Sequence, residues 1–202
     1  MDDPECRSFQ RFAYILLEVV TPRLREVFKE EWDRRYPEIP WRNDEESRLN
    51  FIDYTHGSKC KLPTTGNLDE WDSYMLCCAL LFSKAFNLAE EDPDLYDHIL
   101  GLYQIRNKDY GHARNARLTD NSFQKVLCDI VTSMKGLNSS NEVIQEIQQL
   151  DIYDQVPIDP PESALELRSE STDLPFFWTS CRELIMPFLI IIIIIIIIII
   201  IY

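Results

Sequence analysis

The sequence predicts an all-α protein, and two observations carry that prediction. Apolar residues recur at three- and four-residue spacing along several stretches, which is the period of an amphipathic helix, and long stretches lack the alternation of a half-buried strand. Only five glycines occur among 202 residues, and hydrophobic residues make up 46% of the chain, enough for one well-formed core. We therefore expect a compact helical bundle with tails.

The first helix is expected to be long and bent. Pro4 suits the first turn of a helix, and an apolar stripe runs through residues 9–20 and resumes over 24–32. Pro22 lies between the two halves of the stripe. Because proline lacks an N–H donor and its ring crowds the preceding turn, it should kink or restart the helix there. The helix should end before Pro37.

The middle of the chain contains an irregular segment and a strongly apolar helix. Residues 37–65 are rich in proline and polar residues and leave room for one short helix near 44–54. Residues 68–82 are predicted to form a strongly apolar helix. Its core at residues 73–82 is apolar almost all round, so this stretch should be the central buried helix. Cap and stop residues indicate three further helices, running from Asp92-Pro93 to Arg106, from Thr119-Asp120 to Gly136 and from Asn141 to Leu150.

The domain organisation follows from changes in composition. Residues 5–153 form the predicted helical domain, residues 154–182 an acidic, proline-rich linker, and residues 183–202 an apolar tail with twelve consecutive isoleucines. The apolar run approaches the ~20 residues that cross a bilayer, so the tail is a candidate anchor that would leave the helical domain cytosolic. Translation of a simple nucleotide repeat at a misassigned exon end explains it more simply.

Charge and cysteine content limit the function classes. A net charge of −14 argues against broad non-specific binding of nucleic acid. The six cysteines form no C-x-x-C pair, and Cys77, Cys78 and Cys128 are expected in the core. No metal site and no glycine-rich phosphate loop is indicated, so no cofactor is expected. A reducing, cytoplasmic compartment is expected, because the N-terminus does not resemble a signal peptide.

The stretch at residues 103–118, YQIRNKDYGHARNARL, is the candidate site. Arg106 supplies a permanent cation with planar donors, and His112 exchanges protons near neutral pH. Residues 106–117 contain four basic residues against one Asp, a local charge of +3 in an acidic chain. Such a pair could hold a phosphate and move a proton beside it. The alternative is a pair of cations that complements a helix dipole before a stop at Gly111.

Three segments together resemble a known family. They read FAYILLEVVTPRLREVF, W-D-x-x-x-L-C-C-A-L-L and IRNKDYGHARNARLTDNSFQKV, and they span roughly residues 9–150. In their order and spacing they resemble the HEPN domain, a small all-helical superfamily associated with RNA cleavage. The most similar variety is that of the DAZ-interacting-protein ubiquitin ligase and its relatives among invertebrate immune-type proteins. The resemblance implies a compact HEPN-like bundle and a metal-independent endoribonuclease acting at the ribose 2′-hydroxyl.

The resemblance also implies a role for each site residue. His112 would act as general base or acid, Arg106 would hold the scissile phosphate, and Asn107 would orient one of them. Active members of the superfamily are dimers, with the pair from each chain meeting at one cleft, so a homodimer is expected. Three further cations are expected to line the approach of single-stranded RNA, on charge and proximity, namely Lys108, Arg114 and Arg117.

A second hypothesis belongs to another class of function. Many HEPN domains serve as docking or dimerisation modules, and the acidic composition suits a non-catalytic helical module of a larger immune-type or ubiquitin-ligase-like protein. Under this hypothesis Arg106 would pair with an acid such as Asp109 or Asp97, and His112 would cap a helix end. The partners would be proteins, and a membrane would be a partner only if the isoleucine tail is genuine.

Overall fold

The computed structural model describes residues 3–55, 62–110 and 116–150, which all belong to one compact unit. These residues form helices and connecting segments, with no strand among them, so the expected all-α class is confirmed. Several residues singled out above lie outside the described residues, namely Gly111, His112, Arg114 and everything beyond Leu150, including the linker and the tail.

The helices of the described part follow the predicted order. They are α1 (Pro4–Tyr14), α2 (Thr21–Arg35), α3 (Glu45–Thr55), α4 (Ser73–Phe82), α5 (Leu88–Glu91), α6 (Pro93–Ile105), α7 (Asp120–Gly136) and α8 (Asn141–Gln149). A 3₁₀ turn at Leu68–Glu70 precedes α4. Two wider helical turns continue α1 and α6, and we name them the first π segment (Ile15–Val20) and the second π segment (Arg106–Tyr110).

The first π segment is the structural outcome of the proline in the first helix. Because Pro22 has no N–H and its ring crowds the turn before it, the helix widens before it restarts as α2. The backbone N–H of Thr21 donates to the carbonyl of Leu16, and its hydroxyl donates to the same oxygen at 2.7 Å. The helix therefore restarts at Thr21-Pro22, as predicted, and a widened turn precedes the restart.

Side-chain caps define where the later helices begin. Thr119 caps α7 and Asp92 caps α6 by accepting hydrogen bonds from backbone N–H groups three residues further on, as the sequence predicted. The cap of α8 is Ser140, whose hydroxyl accepts from Val143, and the prediction that Asn141 is the cap was wrong by one position. Both residues are good caps, so the pattern alone does not separate them.

Two segments differ from the predicted helix pattern. Residues 68–82 were expected to form one helix, but Asp72 caps a new helix there and separates the 3₁₀ turn from α4. No helix was predicted between residues 82 and 92, yet Leu88–Glu91 forms the short helix α5, which follows Asn87 in the left-handed backbone region at φ 46°. The side-chain cap at Asp72 decided the first point, and the left-handed backbone at Asn87, which Asn tolerates better than most residues, decided the second.

One half of the core is an aromatic cluster around Phe28 of α2. The Phe28 ring is fully buried and packs against other rings at centroid distances of 4.8–6.4 Å. The members of this aromatic cluster are Phe28, Trp32, Trp41, Phe51, Trp71 and Phe86. They come from α2, α3 and the connecting segments that contain Trp41, Trp71 and Phe86. The cluster therefore holds these connecting segments against the helices.

The other half of the core is formed by α4, α6 and α7. Gly101 lets α6 and α7 approach closely, because a Cβ there would lie 3.0 Å from Ser133 Oγ of α7. Cys77 and Cys78 are buried in α4, as expected. The expectation of a buried Cys128 was wrong, because the buried stripe of α7 passes through Leu127 and Val131 and leaves Cys128 exposed beside it.

Membrane insertion was considered for the apolar tail, which lies outside the described residues. Within residues 3–55, 62–110 and 116–150, no helix has both the length and the apolar character needed to cross a bilayer.

Candidate functional site

The second π segment carries the first residues of the candidate site. It continues α6 directly, and the backbone N–H of Arg106 donates to the carbonyls of Leu102 and Tyr103. Wide turns of this kind are rare in helices and occur often at functional sites. The sequence predicted that the helix ends at Arg106, and no residue in this stretch signals the widening.

Arg106 is buried among polar and aromatic side chains. The residue is 6% exposed, and its guanidinium lies over the ring of Tyr74 at 4.7 Å from the centroid. Nη1 donates to Asn107 Oδ1 at 3.2 Å. Nη2 lies 3.7 Å from Asp72 Oδ2, which is an ion pair but is too long for a hydrogen bond. We name Asp72, Tyr74, Arg106 and Asn107 the Arg106 cluster.

The guanidinium of Arg106 has donors that the described residues do not use. Nε is buried and has no hydrogen-bond partner among them, and Nη2 is beyond hydrogen-bond distance of its ion-pair partner. Leaving buried donors unsatisfied costs free energy, and a charged group makes that cost larger. The arrangement can therefore accept another oxyanion, because a phosphate or carboxylate offers oxygens that match the fork of the guanidinium.

The phenol and thiol groups near Arg106 stay protonated at neutral pH. Burial is the main cause that raises the pKa of the Tyr74 hydroxyl and of the Cys77 thiol. Burial also raises the pKa of Tyr103, although a hydrogen bond from Asn107 opposes the rise. These groups cannot serve as bases near pH 7. Among the residues that the structure describes, the one carboxylate of the cluster, Asp72, is paired with Arg106. The role of general base is therefore left to His112, which lies outside the described residues.

The other predicted site residues are distributed unevenly. Asn107 contacts Arg106, as the predicted roles require, and Lys108 is exposed to solvent on the same π segment. Arg117 is exposed, but its guanidinium forms an ion pair at 2.9 Å with Asp3, the cap residue of α1. The structure therefore brings Arg106 and Asn107 together and attaches Arg117 to the first helix.

Helix α1 contacts the chain on both sides of residues 111–115. Phe9 stacks on Tyr110 with ring centroids 5.5 Å apart, and the Leu118 N–H donates to the Glu5 carbonyl at 2.9 Å. These contacts join the first helix to residues more than a hundred positions later in the chain. Nothing in the sequence pattern indicated this role, because the apolar stripe of α1 predicts burial but not the partner.

Arg106 forms its ion pair with an acid that the sequence did not indicate. The interaction-module hypothesis expected an ion pair with an acid such as Asp109 or Asp97. Arg106 does pair with an acid, but with neither of these two examples. The ion pair found in the described part is with Asp72, at the N-terminus of α4. Helices α4 and α6 pack together, so the start of one lies beside the end of the other. This long-range juxtaposition has no signal in local sequence.

Asp109 itself gives a pH-dependent prediction. Burial is the main cause that raises its pKa, Asp129 adds to the rise, and Lys108 and Lys125 oppose it. Since the folded-state pKa lies above the unfolded one, Asp109 favours folding when protonated, and this contribution is lost as pH rises through the folded pKa. Asp109→Asn should therefore raise stability slightly at pH 7, by at most ~0.5 kcal/mol because the group is partly exposed.

The measurement is thermal unfolding followed by circular dichroism from acidic to neutral pH. The exposed Asp53 of α3 provides a control, since Asp53→Asn removes the same charge without this burial. A lower Tm for Asp109→Asn than for the control at pH 7 would contradict the assignment.

No group of three or more His, Cys, Asp or Glu side chains in the described part of the chain could hold a metal ion. Comparison with models of known protein families, with curated proteins and with solved structures gave no significant match. The function is therefore argued from the residues of the site.

Proposed function

We propose that this chain is a HEPN-type, RNA-associated helical domain that cleaves single-stranded RNA without a metal ion. The observation that supports the proposal is the Arg106 cluster, in which a buried guanidinium keeps donors unused by the described residues. Arg106 lies on the second π segment, six positions before His112 in the sequence. Arg106 would hold the scissile phosphate, with Asn107 orienting the guanidinium through their hydrogen bond.

The proposed reaction is transesterification at the ribose. His112 removes the proton of the 2′-hydroxyl, the 2′-oxygen attacks the adjacent phosphorus, and Arg106 stabilises the negative charge that develops on the phosphoryl oxygens. The bond to the 5′-oxygen breaks, and that oxygen takes a proton from the protonated imidazole or from its counterpart in a second protomer. The products are a 2′,3′-cyclic phosphate and a 5′-hydroxyl.

The test is cleavage of labelled single-stranded RNA by the full chain in EDTA. His112→Ala should reduce the rate by about 100-fold or more, the usual contribution of a general base or acid. Arg106→Lys keeps the charge but not the planar fork, and should also slow cleavage clearly. His98→Ala is the matched control, because His98 packs against Gly136 on the α6–α7 contact.

Circular dichroism must show that each variant is folded, and light scattering must show the oligomeric state. A folded, dimeric wild type that leaves RNA intact, or that cleaves no faster than His112→Ala, would remove the nuclease proposal.

A second function is favoured by the structural contacts of Arg106, which are separate from its unused donors. At 6% exposure, beneath Tyr74 and next to Asp72, the guanidinium also joins the N-terminus of α4 to the end of α6. A domain in which Arg106 is only structural would be a non-catalytic module that dimerises or recruits proteins. We expect such a module to self-associate or to retain protein partners in a pull-down. A folded monomer that captures no partner would count against it.

A further inference from the structure

Asp72 uses its two carboxylate oxygens for different purposes. Oδ1 accepts a hydrogen bond from the Met75 N–H at 2.7 Å and so caps α4. Oδ2 lies 3.7 Å from Arg106 Nη2. The first contact is a normal helix cap, whereas the second is a charge interaction without a hydrogen bond. The carboxylate therefore neutralises Arg106 without using the donors of its guanidinium.

The surroundings of this ion pair would favour an oxyanion with more oxygens. Arg106 is more than nine-tenths buried, and its Nε has no partner in the described part of the chain. The hydroxyl of Ser73, next to Asp72 in sequence, is likewise buried without a described partner. Ser73 is the first residue of α4, and the Arg106 guanidinium lies beside Asp72, the cap of the same ten-residue helix, whose dipole adds positive potential there.

We propose that Arg106 binds a backbone phosphate of RNA by exchanging it for the Asp72 carboxylate. Asp72 is then a positioning residue, which neutralises the guanidinium in the RNA-free chain and withdraws when the phosphate arrives. The proposal rests on the proposed RNA-associated function, but it concerns binding and needs no cleavage. Removing the charge of Asp72 while keeping its cap should therefore strengthen phosphate binding.

The chain offers a matched pair of variants for this test. Asp72→Asn keeps an oxygen that can cap α4 and removes the charge beside Arg106. Asp92→Asn makes the same change at the cap of α6, where Asp92 accepts from Leu95 at 3.0 Å. Both variants change the net charge of the chain equally, so a difference between them reports the local effect on Arg106.

The first experiment measures binding of a labelled oligodeoxyuridine by fluorescence anisotropy at one fixed, low salt concentration. The probe lacks the 2′-hydroxyl and cannot be cleaved by the proposed reaction. The full-length Asp72→Asn chain should bind it roughly fivefold more tightly than wild type or Asp92→Asn, the size expected for removing one partly buried ionic competitor. The gain should disappear in the double variant Asp72→Asn/Arg106→Gln.

The second experiment keeps the proposal testable if Asp72→Asn does not fold. Inorganic phosphate, compared with chloride at equal ionic strength, should raise the Tm of wild type more than that of Arg106→Gln. Equal shifts, or equal oligonucleotide affinity for Asp72→Asn and Asp92→Asn, would overturn the exchange. Tighter binding without RNA cleavage would support the exchange while removing the nuclease proposal, and cleavage with equal affinities would do the reverse.

Discussion

Replacing Phe28 by alanine is expected to lower the free energy of unfolding by about 4 kcal/mol. The ring is fully buried at the centre of the aromatic cluster, and it lies edge-on to Trp41 at 4.8 Å and to Trp71 at 5.1 Å between centroids. Removing it loses the transfer free energy of the ring and leaves a cavity. Neighbouring rings cannot fill that cavity, because their own contacts fix them.

Urea unfolding followed by circular dichroism measures this loss. Phe82→Ala is the matched control, since Phe82 is partly exposed and packs edge-on against Tyr103 at 5.4 Å. We expect the control to cost about 1–2 kcal/mol, because less apolar surface leaves water at that position. A loss for Phe28→Ala no larger than that for Phe82→Ala would show that the aromatic cluster is not the main stabilising contact.

Gly66→Ala is expected to cost about 3 kcal/mol, for a steric reason. A Cβ at Gly66 would overlap the carbonyl oxygen of Asp44 and lie 2.6 Å from its carbonyl carbon. That carbonyl accepts from the Arg48 N–H at 3.2 Å, and the Asp44 side chain accepts from the Ser47 N–H at 2.8 Å. Because these bonds hold the first turn of α3, the backbone cannot move aside without breaking the turn.

The same substitution at Gly136 provides the control for Gly66. There the added Cβ would meet the imidazole of His98, a side chain that can rotate away. Alanine is also a better helix former than glycine, so Gly136→Ala should change stability by no more than about 1 kcal/mol. Thermal unfolding of the two variants compares a backbone obstacle with a side-chain obstacle, and equal losses would contradict the account of Gly66.

Helix type was predictable where the apolar period was long and the caps were local. The stripe through α1 and α2, the proline between them and the cap at Thr119 are all short-range signals, and the structure follows them. The separate start of α4 was not predicted, although Asp72 is a good cap, because the strong apolar content of residues 68–82 suggested a single helix. The apolar period indicates which residues are buried, but it does not distinguish one long helix from a helix that a cap residue divides.

The candidate site was predictable only in part. Arg106 and Asn107 were singled out by residue type, and the structure places them in contact. The burial of Arg106, its contact with Tyr74 and its ion pair with Asp72 depend on how α4 meets α6. Those residues lie more than thirty positions apart, so no local pattern predicts their distance. The chemical groups of the site were predictable from residue types. The exposure of Arg106 and the identity of its ion-pair partner depend on the fold.

The contacts between α1 and the end of the candidate site have a consequence for the order of events during synthesis. The Ser8 hydroxyl donates to Asp120 at 2.8 Å across 112 residues of sequence. Contacts of such separation close late, because the entropy of joining distant parts of the chain is lost before they form. On a ribosome, the N-terminal helix emerges first but cannot meet this partner until α7 has been translated. Until α7 has been translated, contacts other than those of the folded chain have to cover the apolar side of α1.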